Sequence, residues 1–175
     1  LALIDYENKT EYLRSLFKFP NISGLKFGGL VVLILILDLI LVGGYSVIYD
    51  SIGSLPEGGE LFFDANSANS ALILILIFIS LTISAPLIEE LVFRGYILDS
   101  LRTNYSDLFS IFASGILFGF MHWDPVFGFF DLYQTGAATI GGFLYGWLRI
   151  KTGGLWPSII CHSIWNGAIF LIVYI

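Results

Sequence analysis

Charge is what this sequence has least of. Only 13% of its 175 residues are Asp, Glu, Lys or Arg, where a soluble domain carries about 25%. With 57% hydrophobic and 17% aromatic residues, such a chain cannot cover itself with polar surface, so a soluble globule is excluded and a bilayer is implied. Basic residues number eight, with none from Phe27 to Phe93 or from Thr103 to Leu148. No basic cluster exists of the kind that binds nucleic acid, so a nucleic-acid partner is not expected. The single cysteine, Cys161, excludes an intrachain disulfide. There are two histidines and no HExxH, hence no ready-made zinc helix.

What is present is a series of apolar runs. A spanning helix needs about 20 mainly apolar residues. Gly28–Ile48 meets that, with Asp38 at its middle. Asp38 has no obvious partner in the sequence, and a structural role is expected for it. Ala71 to about Leu101 forms a longer run, interrupted by Pro86, which is expected to leave a carbonyl near Thr82 without its donor and to bend the helix. Further runs cover Asp107–His122, Phe127–Ile150 and Leu155–Ile175. The fourth is rich in glycine (Gly136, Gly141, Gly142, Gly146), which lets membrane helices approach closely. The fifth has Pro157 in its first turn. Residues 1–27 alternate apolar and charged positions and read as an interfacial amphipathic helix ended by Pro20 and Gly24. Residues 49–70 read as a polar loop with Glu57, Glu60 and Asp64.

The fold expected is therefore an all-α, polytopic membrane helix bundle. It has about five transmembrane helices and an N-terminal interfacial helix, divided into a cytoplasmic or interfacial segment 1–27 and a membrane-embedded domain 28–175. Lys9, Arg14, Lys18 and Lys26 precede the first span, Arg94 and Arg102 follow the second, and Arg149 and Lys151 follow the fourth. All fall on one side, which the positive-inside rule makes the cytoplasm, with the N-terminus inside. Short length and no recognisable targeting signal lead to the expectation of a prokaryotic plasma membrane. The lipid bilayer is then an obligatory partner. Nothing in the sequence sets an oligomeric state.

Within this frame the few polar residues converge. At ~1.5 Å rise per residue, Glu89 lies roughly 20 Å from Arg102 and His122 about 22 Å from Asp107. His162 and Asn166 lie about 10 and 16 Å from Leu155 on the fifth run. His162 and Asn166 share a helix face, and Glu90 and Arg94 have the favoured order for an ion pair. Glu89 and Glu90 stand about 100° apart, which argues against both pointing at one centre. Glu90 is accordingly assigned to Arg94 as a structural pair, and Glu89 to a cavity. A partly desolvated carboxylate is a stronger base than an exposed one. A carboxylate and a histidine can take a proton from water, while a second histidine and an amide can donate to the oxyanion formed at an attacked carbonyl. That chemistry is hydrolysis of an amide or ester.

Three motifs carry a resemblance. EELVFR (Glu89–Arg94) is similar to the pattern EExxxR, FGFMH (Phe118–His122) to FxxxH, and HSIWN (His162–Asn166) to HxxxN. In this order, each on its own apolar segment, they resemble the CAAX protease and bacteriocin-processing (CPBP, or Abi) family of intramembrane proteases, which includes the type II CAAX prenyl endopeptidase. The resemblance covers residues 71–175, and residues 1–70 carry no family motif. It implies that Glu89 and His122 activate water and that His162 and Asn166 stabilise the oxyanion, with Glu90, Arg94 and Phe118 in support. A membrane-associated protein or peptide substrate is implied. Members are often called metalloproteases, and zinc held by Glu89, His122 and His162 is conceivable by ligand type. A metal-independent glutamate and histidine mechanism, requiring no cofactor, fits the residues at least as well, since Asn166 is a poor zinc ligand. The competing classes are a non-catalytic bacteriocin-immunity or scaffold protein, and a proton path through Asp38, Glu89 and Asp131.

Overall fold

The computed structural model of the chain describes residues 6–52, 71–123 and 131–174. Among these the chain forms six helices and no strand: α1 (Tyr6–Leu16), α2 (Gly24–Ile52), α3 (Ala71–Arg102), α4 (Asp107–Phe120), α5 (Asp131–Thr152) and α6 (Trp156–Tyr174). The all-α bundle is as expected. By length and composition, α2 and α3 suffice to cross a membrane, while α4 and α6 contain shorter apolar stretches. Of the expected 49–70 loop, Tyr49–Ile52 instead continue α2. Residues 53–70, with Glu57, Glu60 and Asp64, lie outside the described residues, as do 127–130 and the side chain of Asp131.

Burial in α2 follows one stripe: Val31, Ile34, Asp38, Val42 and Tyr49 face the bundle. Leu39, Ile40 and Val47 on the other side are more than half exposed. Apolar side chains outside and a carboxylate inside is the reverse of a soluble helix and suits lipid.

The glycines of α5 do what their pattern suggests. A Cβ on Gly142 would come within 2.8 Å of Gly115 Cα, and one on Gly119 within 1.8 Å of Thr139 Oγ1. The α4 and α5 backbones therefore touch where side chains are missing. A Cβ on Gly136 would strike the Tyr45 ring at 2.4 Å, so α2 also packs on α5 through a glycine.

Helix α1 ends at Leu16, four residues before Pro20, and it is pinned to the bundle end rather than merely lying on a surface. Leu16 is buried with Leu155 and Ile159. The Leu155 amide donates to Leu16 O at 2.9 Å, and Trp156 Nε1 to Phe17 O at 2.8 Å. The Tyr12 hydroxyl reaches both Gly95 O and Asp99 Oδ2. Burial, and then the Asp99 charge, push this phenol well above its ordinary range, so it remains a donor. Asp99 Oδ2 also accepts from Arg149 Nη2 at 2.7 Å, and Arg102 pairs with Asp107 at 2.7 Å. These contacts gather α1, the end of α3 and the end of α5 at one end of the bundle. Arg94 does not share that position: it is fully buried, so it is no part of a surface charge cluster.

Replacing Gly142 by Ala should force α4 and α5 apart at a cost of about 1–3 kcal/mol. Gly29→Ala, where an added methyl meets nothing within 4 Å, should cost no stability. Thermal unfolding in detergent compares the two; equal midpoints would remove the close-approach reading.

Candidate active site

The site is built on interruptions in α3. Two π-helical turns, Ser80–Ser84 and Leu91–Ile97, flank the α-helical Ala85–Glu90. Such turns are rare and concentrate at functional sites. In the first, the Ala85 amide bonds to Ser80 O, five residues back. Leu81 O thereby loses its usual donor, and the amide five residues ahead belongs to Pro86, which has no N–H. The carbonyl so freed is Leu81, one position earlier than expected, because the turn widens instead of only bending. Asn166 Nδ2 on α6 donates to it at 3.0 Å.

Glu90 and Arg94 form the expected pair, Oε1 to Nη1 at 3.0 Å, with both side chains fully buried. Arg94 Nη2 also donates to Gly142 O at 3.3 Å, and its guanidinium lies 4.3 Å from the Phe118 ring centroid. Phe118 is thus a cation–π support from α4. Glu90 has a further task that its assignment to Arg94 did not include: its Oε1 lies 3.0 Å from His162 Nδ1.

Glu89 Oε2 lies 3.7 Å from His162 Nε2. Both adjacent carboxylates therefore face the same imidazole, contrary to the expectation that they could not share a centre. The 100° step is compatible with this because the two ring nitrogens point in different directions. Glu89 Oε2 itself is buried and has no hydrogen-bond partner.

His122 stands just past the end of α4, in a turn and not on the helix, with its amide bonded to Gly119 O. Its Nδ1 is 2.9 Å from Phe118 O. A carbonyl only accepts, so Nδ1 carries the proton there and the neutral ring keeps its lone pair on Nε2. Glu89, His122, His162 and Asn166 all line one open cavity of about 1000 Å³. The four residues that the depth count brought together are thus brought together by the fold. No Lys or Arg is among the described residues lining the cavity. Among the described residues, the other carboxylate on its wall is Asp38.

Asp38 does have a partner: Tyr145 on α5 donates to its Oδ2 at 2.7 Å. Tyr145 was not singled out by any motif. The signal that points to it is Asp38 itself, since a carboxylate in mid-span requires a donor from a neighbouring helix. Among the described residues, no group of three His, Cys, Asp or Glu side chains is placed so that it could hold a metal ion.

The helical bundle thus brings a buried ion pair, a cavity-lining carboxylate and two histidines together. The family profile for type II CAAX prenyl endopeptidase, Rce1-like, matches residues 71–168, and the chain belongs to that family. The matched region runs from the start of α3 to beyond Asn166 and contains all three motifs. No curated protein and no solved structure matches the chain.

Arg94→Met should strand the buried Glu90 charge and cost about 3–5 kcal/mol, and Glu90→Gln in the same chain should restore much of it. Chemical or thermal unfolding of the single and double variants measures this. A single variant as stable as the parent would show that the pair does not hold the site.

Proposed function

We propose that this chain is an intramembrane endopeptidase that hydrolyses peptide bonds of membrane-associated proteins or peptides. The observation that carries the proposal is the Glu89 carboxylate, which lines one cavity together with His122, His162 and Asn166. A carboxylate on that wall, with its side chain 30% exposed, can accept a proton from a water molecule. Glu89 and the Nε2 lone pair of His122 draw that proton, and the water oxygen attacks the carbonyl carbon of the substrate. Negative charge moves to the carbonyl oxygen. His162 and Asn166 stand as its donors: with Nδ1 on the Glu90 carboxylate, His162 donates from Nε2 as the doubly protonated ring, and Asn166 has one amide hydrogen on Leu81 O and a second to give. Glu90 holds the His162 ring from its Nδ1 edge. The proton then passes to the leaving nitrogen, and the peptide bond breaks.

The mechanism proposed needs no metal, because Asn166 is a good oxyanion donor and a poor zinc ligand. The catalytic unit is the membrane-embedded domain 28–175, in a multi-pass, five-span arrangement. The clustering of Arg14, Lys18, Arg102, Arg149 and Lys151 at one end favours a cytoplasmic N-terminus. A prokaryotic plasma membrane is the proposed setting.

Membrane proteomes of cells carrying the parent chain or Glu89→Gln, at equal protein levels, test the proposal through new peptide termini. Termini that depend on Glu89 support a protease and identify its substrate. Identical termini would turn the reading to a non-catalytic immunity or scaffold protein. Asn166→Ala should lower the cleavage rate by about 10²–10³-fold. A proton path through Asp38 and Glu89 would not need that amide, so an undiminished rate would count against the oxyanion role.

A further inference from the structure

Asp38 is unexplained by the chemistry so far. It is 1% exposed, sits at the middle of the apolar α2 and lies on the cavity wall. Its Oδ2 accepts from the Tyr145 hydroxyl at 2.7 Å, and its Oδ1 is buried without a partner. An ionisable group in a membrane helix is costly, and a single phenol compensates it only in part.

Holding α2 against α5 does not require it. Those helices are already joined by Tyr45 OH on Leu132 O at 2.9 Å, by Ser46 with Tyr133 at 2.7 Å, and by the stacked rings of Tyr45 and Tyr133. What Asp38 alone fixes is the hydroxyl end of Tyr145. That ring is 2% exposed and stacks on His162, with centroids 5.3 Å apart and planes at 29°.

The imidazole needs such a stop. Its one close hydrogen bond, from Nδ1 to Glu90, holds one edge and leaves the ring free to rock about that contact. Phe118 bounds it edge-on at 5.7 Å and 86°. Tyr145 covers a face. With the hydroxyl of Tyr145 anchored, the ring of His162 is enclosed and Nε2 is aimed toward Glu89 and the cavity.

We propose that Asp38 is a positioning residue of the active site: through the Tyr145 hydroxyl it holds the phenol ring against His162 and so fixes the direction of Nε2. The inference rests on the reading of His162 as a member of the hydrolytic site. It extends that site to α2, outside the family match at 71–168.

Two readouts test it. The chain has only two histidines, so ring signals of ¹³C,¹⁵N-histidine-labelled protein in nanodiscs are assigned by comparison with His122→Gln. Asp38→Leu should displace the His162 ring signals in the same sense as Tyr145→Leu, through loss of the stacked ring. Asp38→Asn, whose amide oxygen still accepts from Tyr145, should leave them near the parent positions. Signals unmoved by Asp38→Leu would overturn the inference.

The second readout is hydrolysis of a synthetic peptide spanning the cleavage site found from Glu89-dependent termini. Asp38→Leu should reduce kcat about 10- to 100-fold with KM unchanged, as a misaimed group does, and Asp38→Asn should restore it. Equal losses in Asp38→Asn and Asp38→Leu, with the ring signals in place in Asp38→Asn, would also overturn it. The two failures are separable. A fully active His162→Ala would remove the hydrolytic reading, while the ring signals would still show whether Asp38 holds Tyr145 on His162.

Discussion

Two opposite charges, both fully buried, set the arrangement of this bundle. Glu90 and Arg94 are fully buried one helical turn apart. Each then needs more than the other. Arg94 takes the Gly142 carbonyl from α5 and the Phe118 ring from α4, while Glu90 takes His162 from α6. A buried pair stripped of either member leaves an uncompensated charge, which is far more costly than never having the pair. The consequence is geometric. Satisfying one pair on α3 brings three other helices to the same depth, and the cavity forms where they meet.

Part of this is legible in the sequence because helical spacing converts number into direction. The four-residue steps from Glu90 to Arg94 and from His162 to Asn166 define faces, and the apolar runs define depth. The 100° step also separates the surroundings of the two carboxylates: Glu90 is wholly buried on Arg94, and Glu89 lines the cavity. That both reach His162 does not follow, since it depends on a ring with two acceptor-facing edges arriving from another helix. Tyr145 is hidden for a similar reason: it meets Asp38 across 107 residues of chain, and no local pattern encodes that crossing. The docking of α1 is also a matter of tertiary contact, because Tyr12, Leu16 and Phe17 look like any interfacial face until Gly95, Leu155 and Trp156 meet them.

Pro86 shows how a local irregularity becomes part of a site. Proline removes one donor, and the widened turn before it diverts another. Both losses converge on Leu81 O. In hydrocarbon an unpaired carbonyl is expensive, so a donor from a neighbouring helix is required. Asn166 supplies it and is held in place by doing so. The proline on α3 and the asparagine on α6 thus act as one device, although 80 residues separate Pro86 from Asn166 in the sequence.

The cavity lining also bears on how a reaction there would end. Hydrolysis of a peptide bond creates a carboxylate where a neutral amide had been. Among the described residues, the wall around that newborn anion offers Glu89 and Asp38 but no Lys or Arg, and the nearby guanidinium of Arg94 is engaged with Glu90 behind Phe118. Like charges a few ångströms apart repel strongly in a medium of low dielectric constant. On the proposed hydrolysis, the acidic fragment would meet no Lys or Arg among the described lining residues to retain it, and its own charge would favour its release.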